Sequence, residues 1–147
     1  MKKYSKNSYL LFISIIFLMH LHCGNSTDHL SPEENEALNA ATNWLSLVDN
    51  GQYNRSWKMA SPYLRSKITE RQWEIGLEQI REPMGKVESR KVVSIKRSRL
   101  ETKGNQKKRI VAQFSATFEH QNSVIEFITL QFEDNHEWQV AVYYIDR

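Results

Sequence analysis

Ile110-Val111-Ala112-Gln113-Phe114-Ser115-Ala116-Thr117-Phe118 puts Ile110, Ala112, Phe114, Ala116 and Phe118 on every second position. A period of two is that of a strand with one face on a core. Reading outward, Val93 and Ile95 mark a strand before it. Val124, Ile128, Leu130 and Phe132 mark one after it, and Trp138, Val140, Val142 and Tyr144 mark a fourth. Lys103-Gly104-Asn105, His120-Gln121-Asn122-Ser123 and Asp134-Asn135-His136 carry the turn residues expected between them.

Upstream of Gly85 the period becomes helical. Ser31-Pro32-Glu33-Glu34 combines a capping serine, a proline at the first helical position and a capping-box glutamate. Ala37, Leu38, Ala41, Trp44, Leu45 and Val48 follow at helical spacing, and Asn50-Gly51 ends the helix. That ending also accounts for Asp49-Asn50-Gly51 without a cation loop. A second helical stretch, Gln52 to Lys67, carries Tyr53, Trp57 and Leu64 and is interrupted at Ser61-Pro62. Thr69 with Gln72 opens a third, bearing Trp73, Leu77 and Ile80, which Pro83 and Gly85 end. Gly76 inside it costs about 1 kcal/mol relative to Ala, which a close crossing would justify. About three helices followed by a four-stranded antiparallel meander predict an α+β domain, the helices packed on one sheet face.

The first 22 residues stand apart. Lys2, Lys3 and Lys6 precede an apolar run, Tyr9 to Met19, broken only by Ser14. This is the layout of a secretory signal, and the run is short of the roughly 20 residues that span a bilayer. Residues 1–22 are therefore expected to be a signal peptide, 23–31 a tether and 32–147 the domain. The chain has 20 Lys+Arg against 17 Asp+Glu, and the signal holds three of the basic residues and no acid. The remainder is formally neutral, so charge gives no ground for nucleic-acid binding. Lys86 to Arg109 is nonetheless rich in Lys and Arg. It reads either as a surface for anionic head groups or as a solvated edge hairpin kept from aggregating by its charges.

Cys23 is the only cysteine, so no internal disulfide forms. It follows the apolar run and precedes the polar Gly24-Asn25-Ser26-Thr27-Asp28, which resembles a bacterial lipoprotein signal with an acylated cysteine. His22 stands where that pattern has a small residue, and Leu21 lies two residues before the cysteine instead of three. Cleavage near Gly24 or Ser26 is the competing reading. The expected partner is thus the membrane, through a lipid on Cys23, in the bacterial cell envelope.

Trp44-Leu45-Ser46-Leu47-Val48-Asp49-Asn50-Gly51-Gln52-Tyr53, Ser56-Trp57, Gln72-Trp73, Arg81-Glu82-Pro83-Met84-Gly85, Val87, Ser89-Arg90, Glu126, Thr129-Leu130, Trp138, Val140-Ala141 and Tyr143-Tyr144 together resemble the DUF4019 family of uncharacterised bacterial exported domains. The likeness runs from Ala37 to Ile145 and implies no reaction, since the family has no assigned activity. The order of elements is also similar to cystatin-like and NTF2-like cones, which often enclose a pocket. That likeness is one of fold alone.

Register points to one candidate site. Five-residue loops in the last two hairpins would pair Phe118 with Val124 and Phe132 with Trp138, setting Ala116, Glu126 and Tyr144 side by side on the apolar face. A four-residue loop at 102–105 would add Lys91 to that row, and one bulge would bring Arg90 inward instead. A carboxylate on such a face must be paired, protonated or open to a wet pocket. Tyr144, Lys91, Arg90 and Arg81 are its candidate partners. The arrangement reads as a satisfied polar cluster, as a small-ligand pocket with room beside Ala116, or as a site where Glu126 acts as general base. His29, His120 and His136 lack ligand spacing, so neither a metal nor another cofactor is expected. No nucleophile elbow appears. The four tryptophans recur at core spacing, which favours packing over a stacking platform for sugars or bases. The function expected is that of a non-catalytic envelope domain binding a small ligand or a protein partner, with a small Glu126 enzyme or a purely structural envelope protein as alternatives.

The anchor is checked by intact mass. The mature protein is expected to begin at Cys23 and carry more than one acyl chain, because a single chain holds a protein only marginally. An unmodified N-terminus beyond Cys23 would rule the anchor out.

Overall fold

The computed structural model describes residues 30–98 and 107–147. The expected signal, Cys23 with most of the expected tether, His29 and the turn expected at Lys103-Gly104-Asn105 lie outside them. The elements are α1 (Pro32–Asp49), α2 (Tyr53–Lys58), α3 (Pro62–Lys67), α4 (Glu70–Arg81), a short 3-10 turn (Glu82–Met84), β1 (Val87–Arg97), β2 (Arg109–Phe118), β3 (Gln121–Phe132) and β4 (Trp138–Asp146). The strands form one antiparallel sheet in chain order.

Local chemistry sets the helix ends. Ser31 and Glu34 make the reciprocal capping box at the start of α1, and Thr69 and Gln72 repeat it at α4. Ser61 caps α3 through its side chain, with Pro62 in the first turn, so the expected second stretch is two short helices. The Ser61 backbone N–H also donates to the Val140 carbonyl at 2.9 Å, which ties this break to β4.

Helix α1 buries Ala37, Ala41, Trp44, Leu45 and Val48. They lie against Ile110, Ala112 and Phe114 of β2, Ile128 and Leu130 of β3, and Val140 of β4. A smaller core gathers Met84, Ala116, Phe118 and Val124 at the other end of the sheet. Burial of each large apolar side chain contributes about 1.5–3 kcal/mol.

Three irregularities alter the expected register. The hairpin between β2 and β3 pairs Ala116 with Val124 and Phe118 with Gln121, so its turn is tighter than five residues. Strand β1 shifts between Val87 and Ser89 and again between Val92 and Ser94. Val93, expected in the core, is 54% exposed as a result. Strand β4 shifts between Val140 and Val142, opposite Leu130 and Thr129. Beyond that bulge the faces exchange, so Val142 and Tyr144 turn outward and Tyr143 inward. The hairpin joining Phe132 to Trp138 has the expected loop.

The two glycines around α4 behave differently. A Cβ at Gly76 would meet nothing within 4 Å, so no close crossing accounts for it. Gly85 adopts φ +74, and a Cβ there would lie 2.9 Å from the Glu119 Cβ and 2.7 Å from its Oε2. Gly76→Ala is therefore expected to stabilise the domain by about 1 kcal/mol. Gly85→Ala is expected to cost about 1–3 kcal/mol through backbone strain. Urea melts of the two variants check this, and opposite signs are the expected result.

Candidate functional site

Glu126 is fully buried on the inner face of β3. Its neighbours come from four other elements. Asp49 is the last residue of α1, Arg81 the last of α4, Arg90 lies in β1 and Tyr143 in β4. Arg90 faces inward because the β1 shift at Val87 and Ser89 pairs it with Ala116.

Glu126 accepts from every side. Arg90 Nε donates to its Oε2 at 2.6 Å and Arg90 Nη2 to its Oε1 at 3.3 Å. Arg81 Nη1 reaches Oε1 at 3.2 Å, and the Tyr143 hydroxyl donates to the same oxygen at 2.6 Å. Asp49 closes the other end. Arg90 Nη1 and Nη2 bind its two oxygens at 2.6 and 2.9 Å, and Arg81 Nη2 binds Oδ1 as well. Two carboxylates and two guanidinium groups thus neutralise one another in a buried, hydrogen-bonded lattice, which is the condition for keeping charge in an interior.

The lattice joins the two cores. The Arg81 guanidinium lies 4.6 Å from the centre of the Phe118 ring in the smaller one. The Tyr143 ring packs edge-on to Trp44 at 5.3 Å and tilted to Trp73 at 6.4 Å in the larger one. Burial pushes the Tyr143 hydroxyl well above the usual tyrosine range, and the Glu126 charge adds to the rise. Burial disfavours the charge on Arg90, but its bonds to Asp49 and Glu126 outweigh that effect and hold it protonated above its ordinary value.

Of the residues anticipated here, Glu126, Arg81 and Arg90 do come together. Tyr144 does not, for the β4 bulge turns it to the outer face, 56% exposed and beside Phe127. Lys91 is exposed too, displaced by Arg90. Ala116 leaves no pocket beside Glu126, being packed into the smaller core. Asp49 was accounted for as part of a helix end, yet it carried a signal. An acid in the last turn opposes the helix dipole, and α1 has no basic residue there to offset it.

The basic stretch is partly consumed within the fold. Arg97 and Lys108 both pair with Glu33, at 3.0 and 2.8 Å, and Lys107 pairs with the buried Glu133. Among the described residues no three His, Cys, Asp or Glu side chains are grouped to hold a metal, and no helix is long and apolar enough to cross a membrane.

A family model described as a protein of unknown function, DUF4019, matches residues 40–143. That span contains every member of the charged lattice. No curated protein matches the chain.

Removing one partner of a buried ion pair leaves an uncompensated charge, at about 3–5 kcal/mol. Glu126→Gln is expected to lose that much stability, whereas Lys91→Met and Tyr144→Ser are expected to stay within about 0.5 kcal/mol. Chemical denaturation of the three variants decides it. Tyr143 adds a pH dependence. Its folded pKa exceeds the unfolded value of about 10, so its contribution is intact below that pH and is lost as pH rises through and beyond it. Tyr53 is raised as well, mainly by burial. Tyr143→Phe should therefore make the alkaline fall in unfolding midpoint shallower without abolishing it.

Proposed function

This chain belongs to the DUF4019 family, and from that premise we propose that it is a non-catalytic domain of the cell envelope, held at the membrane by an acylated Cys23, that binds a small ligand or a protein partner. The observation that carries the non-catalytic part is the saturation of Glu126. A general base needs a lone pair within reach of the proton it takes. Both oxygens of Glu126 already accept from arginine or tyrosine, and the residue has no exposed surface. Its neighbours are spent in the same way, so no second titratable group is left to complete an acid–base pair. The lattice then serves the fold, and recognition is assigned to the outer surface.

The envelope assignment is supported by the sequence: the charged start, the apolar run and the polar tether after Cys23. The formal neutrality of the chain beyond the signal leaves the lipid as the source of membrane affinity.

Carbodiimide labelling with an amine nucleophile, read by peptide mass spectrometry on the native protein, tests the reading of Glu126. Exposed acids such as Glu36 and Glu78 are expected to be labelled and Glu126 to stay unmodified until the protein is unfolded. Labelling of Glu126 in the native state would mean that a reagent, and therefore a substrate, reaches it.

A further inference from the structure

The sheet has a second face, turned away from α1. That helix packs on Ala112 and Phe114 of β2 and on Ile128 and Leu130 of β3, so the residues that alternate with them point outward. The β4 bulge adds Val142 and Tyr144 to the outward set, at 44% and 56% exposed. Two large apolar side chains that plain alternation would have buried are thus left in solvent. They lie beside the half-buried Phe127 and Ile125 of β3, with the Phe127 and Tyr144 rings 6.2 Å apart. An apolar patch of this kind on an outer surface marks a contact with another molecule.

Register lays the face out in rows. In one, Lys91 pairs with Ser115, Ser115 with Ile125 and Ile125 with Asp146. In the next, Ser94 pairs with Gln113, Gln113 with Phe127 and Phe127 with Tyr144. The first row carries opposite charges at its two ends. Lys91 and Asp146 are exposed, and neither has a hydrogen-bond or ionic partner among the described residues. They do not reach each other within one molecule, for they stand on the two edge strands, three strand spacings or about 14 Å apart.

A second copy of the chain answers both features. In a face-to-face pair with the two-fold axis along the strands, between β2 and β3, each β1 lies over the other copy's β4 and each β2 over its β3. The rows stay level under that rotation. Lys91 of either copy therefore meets Asp146 of the other, and the contact is made twice. In the next row Tyr144 comes over Ser94, and the two Phe127 rings lie side by side at the axis. Ile125 comes over the slight Ser115, an alternation of large with small that lets two layers interlock. An axis across the strands would instead set β1 on β1 and bring Lys91 against Lys96, which also points outward from its pairing with Val111. Like charges placed so oppose association.

We propose that the chain pairs with a second copy of itself through the outer face of its sheet, Lys91 of each copy bound to Asp146 of the other around a centre of Phe127 and Tyr144. The inference rests on the reading that recognition belongs to the outer surface, and it names the partner. Four strands of about ten residues present roughly 600 Å², less than the roughly 800 Å² that each partner buries in a standard complex. The pair is therefore weak, and cross-linking at high concentration is the measurement that suits it.

The test applies carbodiimide, with no added amine, to an equal mixture of unlabelled and isotope-labelled full-length protein at millimolar concentration in detergent. Peptide mass spectrometry then reads the links between copies. A mixed-isotope link from Lys91 to Asp146 is expected to dominate. Tyr144→Ser, which is expected to leave the fold intact, should lower its yield at least about tenfold, because each copy loses a buried ring. Exchanging the charges, Lys91→Asp together with Asp146→Lys, should form the link again in the reverse sense. The proposal is overturned by absence of the mixed-isotope link, by a yield unchanged in Tyr144→Ser, or by failure of the link to form in the exchanged variant. Links from Lys91 spread evenly over exposed acids such as Glu36 and Glu78 would overturn it as chance encounter, and a dominant link to Glu88 of the other copy would overturn it by placing β1 on β1. Each of these leaves the binding-module reading standing, because a different partner can dock on the outer surface. Native labelling of Glu126 would instead overturn that reading while leaving the cross-link unaffected.

Discussion

A carboxylate with no exposed surface must be neutralised where it stands, and in this protein everything around Glu126 is arranged to do so. The cost of an ion left unpaired in an interior exceeds what any single apolar contact returns. Glu126 in β3 therefore calls for the ends of two helices, a bulged edge strand and a tyrosine from β4 to meet at one point. Arg81 and Arg90 each bridge Glu126 to Asp49, so the two acids are joined through shared cations. The lattice lies between the larger core under α1 and the smaller one around Phe118, and it fixes how one sits against the other.

Such a lattice adds little net stability beyond what apolar residues of the same shape would give. What it can act on is the register of the strands that carry its members. A slip of one residue in β1 would present Lys91 to Glu126, and loss of the β4 bulge would present Tyr144. The first would replace a guanidinium that bridges Glu126 to both oxygens of Asp49 by a point-charge ammonium, and the second would keep a hydroxyl for Glu126 but take the Tyr143 ring off Trp44 and Trp73. The irregular strands are thus tied to the charges they align, and the register is set by a polar requirement as much as by apolar pattern. Glu126 is so fully engaged that each of its contacts serves the fold, and under the proposed function recognition falls to the outer surface.

Much of this was legible in the residues. The caps at Ser31 and Thr69, the break at Ser61-Pro62 and the alternation from Ile110 to Phe118 each have one dominant local cause, and the helices and the meander appear where those causes lie. Glu126 was visible as a charge on an apolar face, with Arg81 and Arg90 as two of its partners. Tyr143 and the outward turn of Val142 were not, because they follow from a bulge at Ala141 that no glycine or proline announces. The tight turn after Phe118 was hidden in the same way, since Gln121-Asn122-Ser123 reads equally as loop or strand. Asp49 was passed over because a helix end explained Asp49-Asn50-Gly51 by itself. The lattice is assembled from positions 49, 81, 90, 126 and 143, and spacings that long show nothing in a local pattern.

The central claim is that Asp49 and Glu126 act as one unit through two shared arginines. A double-mutant cycle of Asp49→Asn and Glu126→Gln, read by chemical denaturation, measures this directly. Within one network the coupling is expected to be at least about 1 kcal/mol, with the double variant less stable than the sum of the single losses predicts, because it leaves two buried guanidinium groups with no counter-charge. Strictly additive losses, as for independent sites, would show that the two acids are separate and that no such lattice holds the fold.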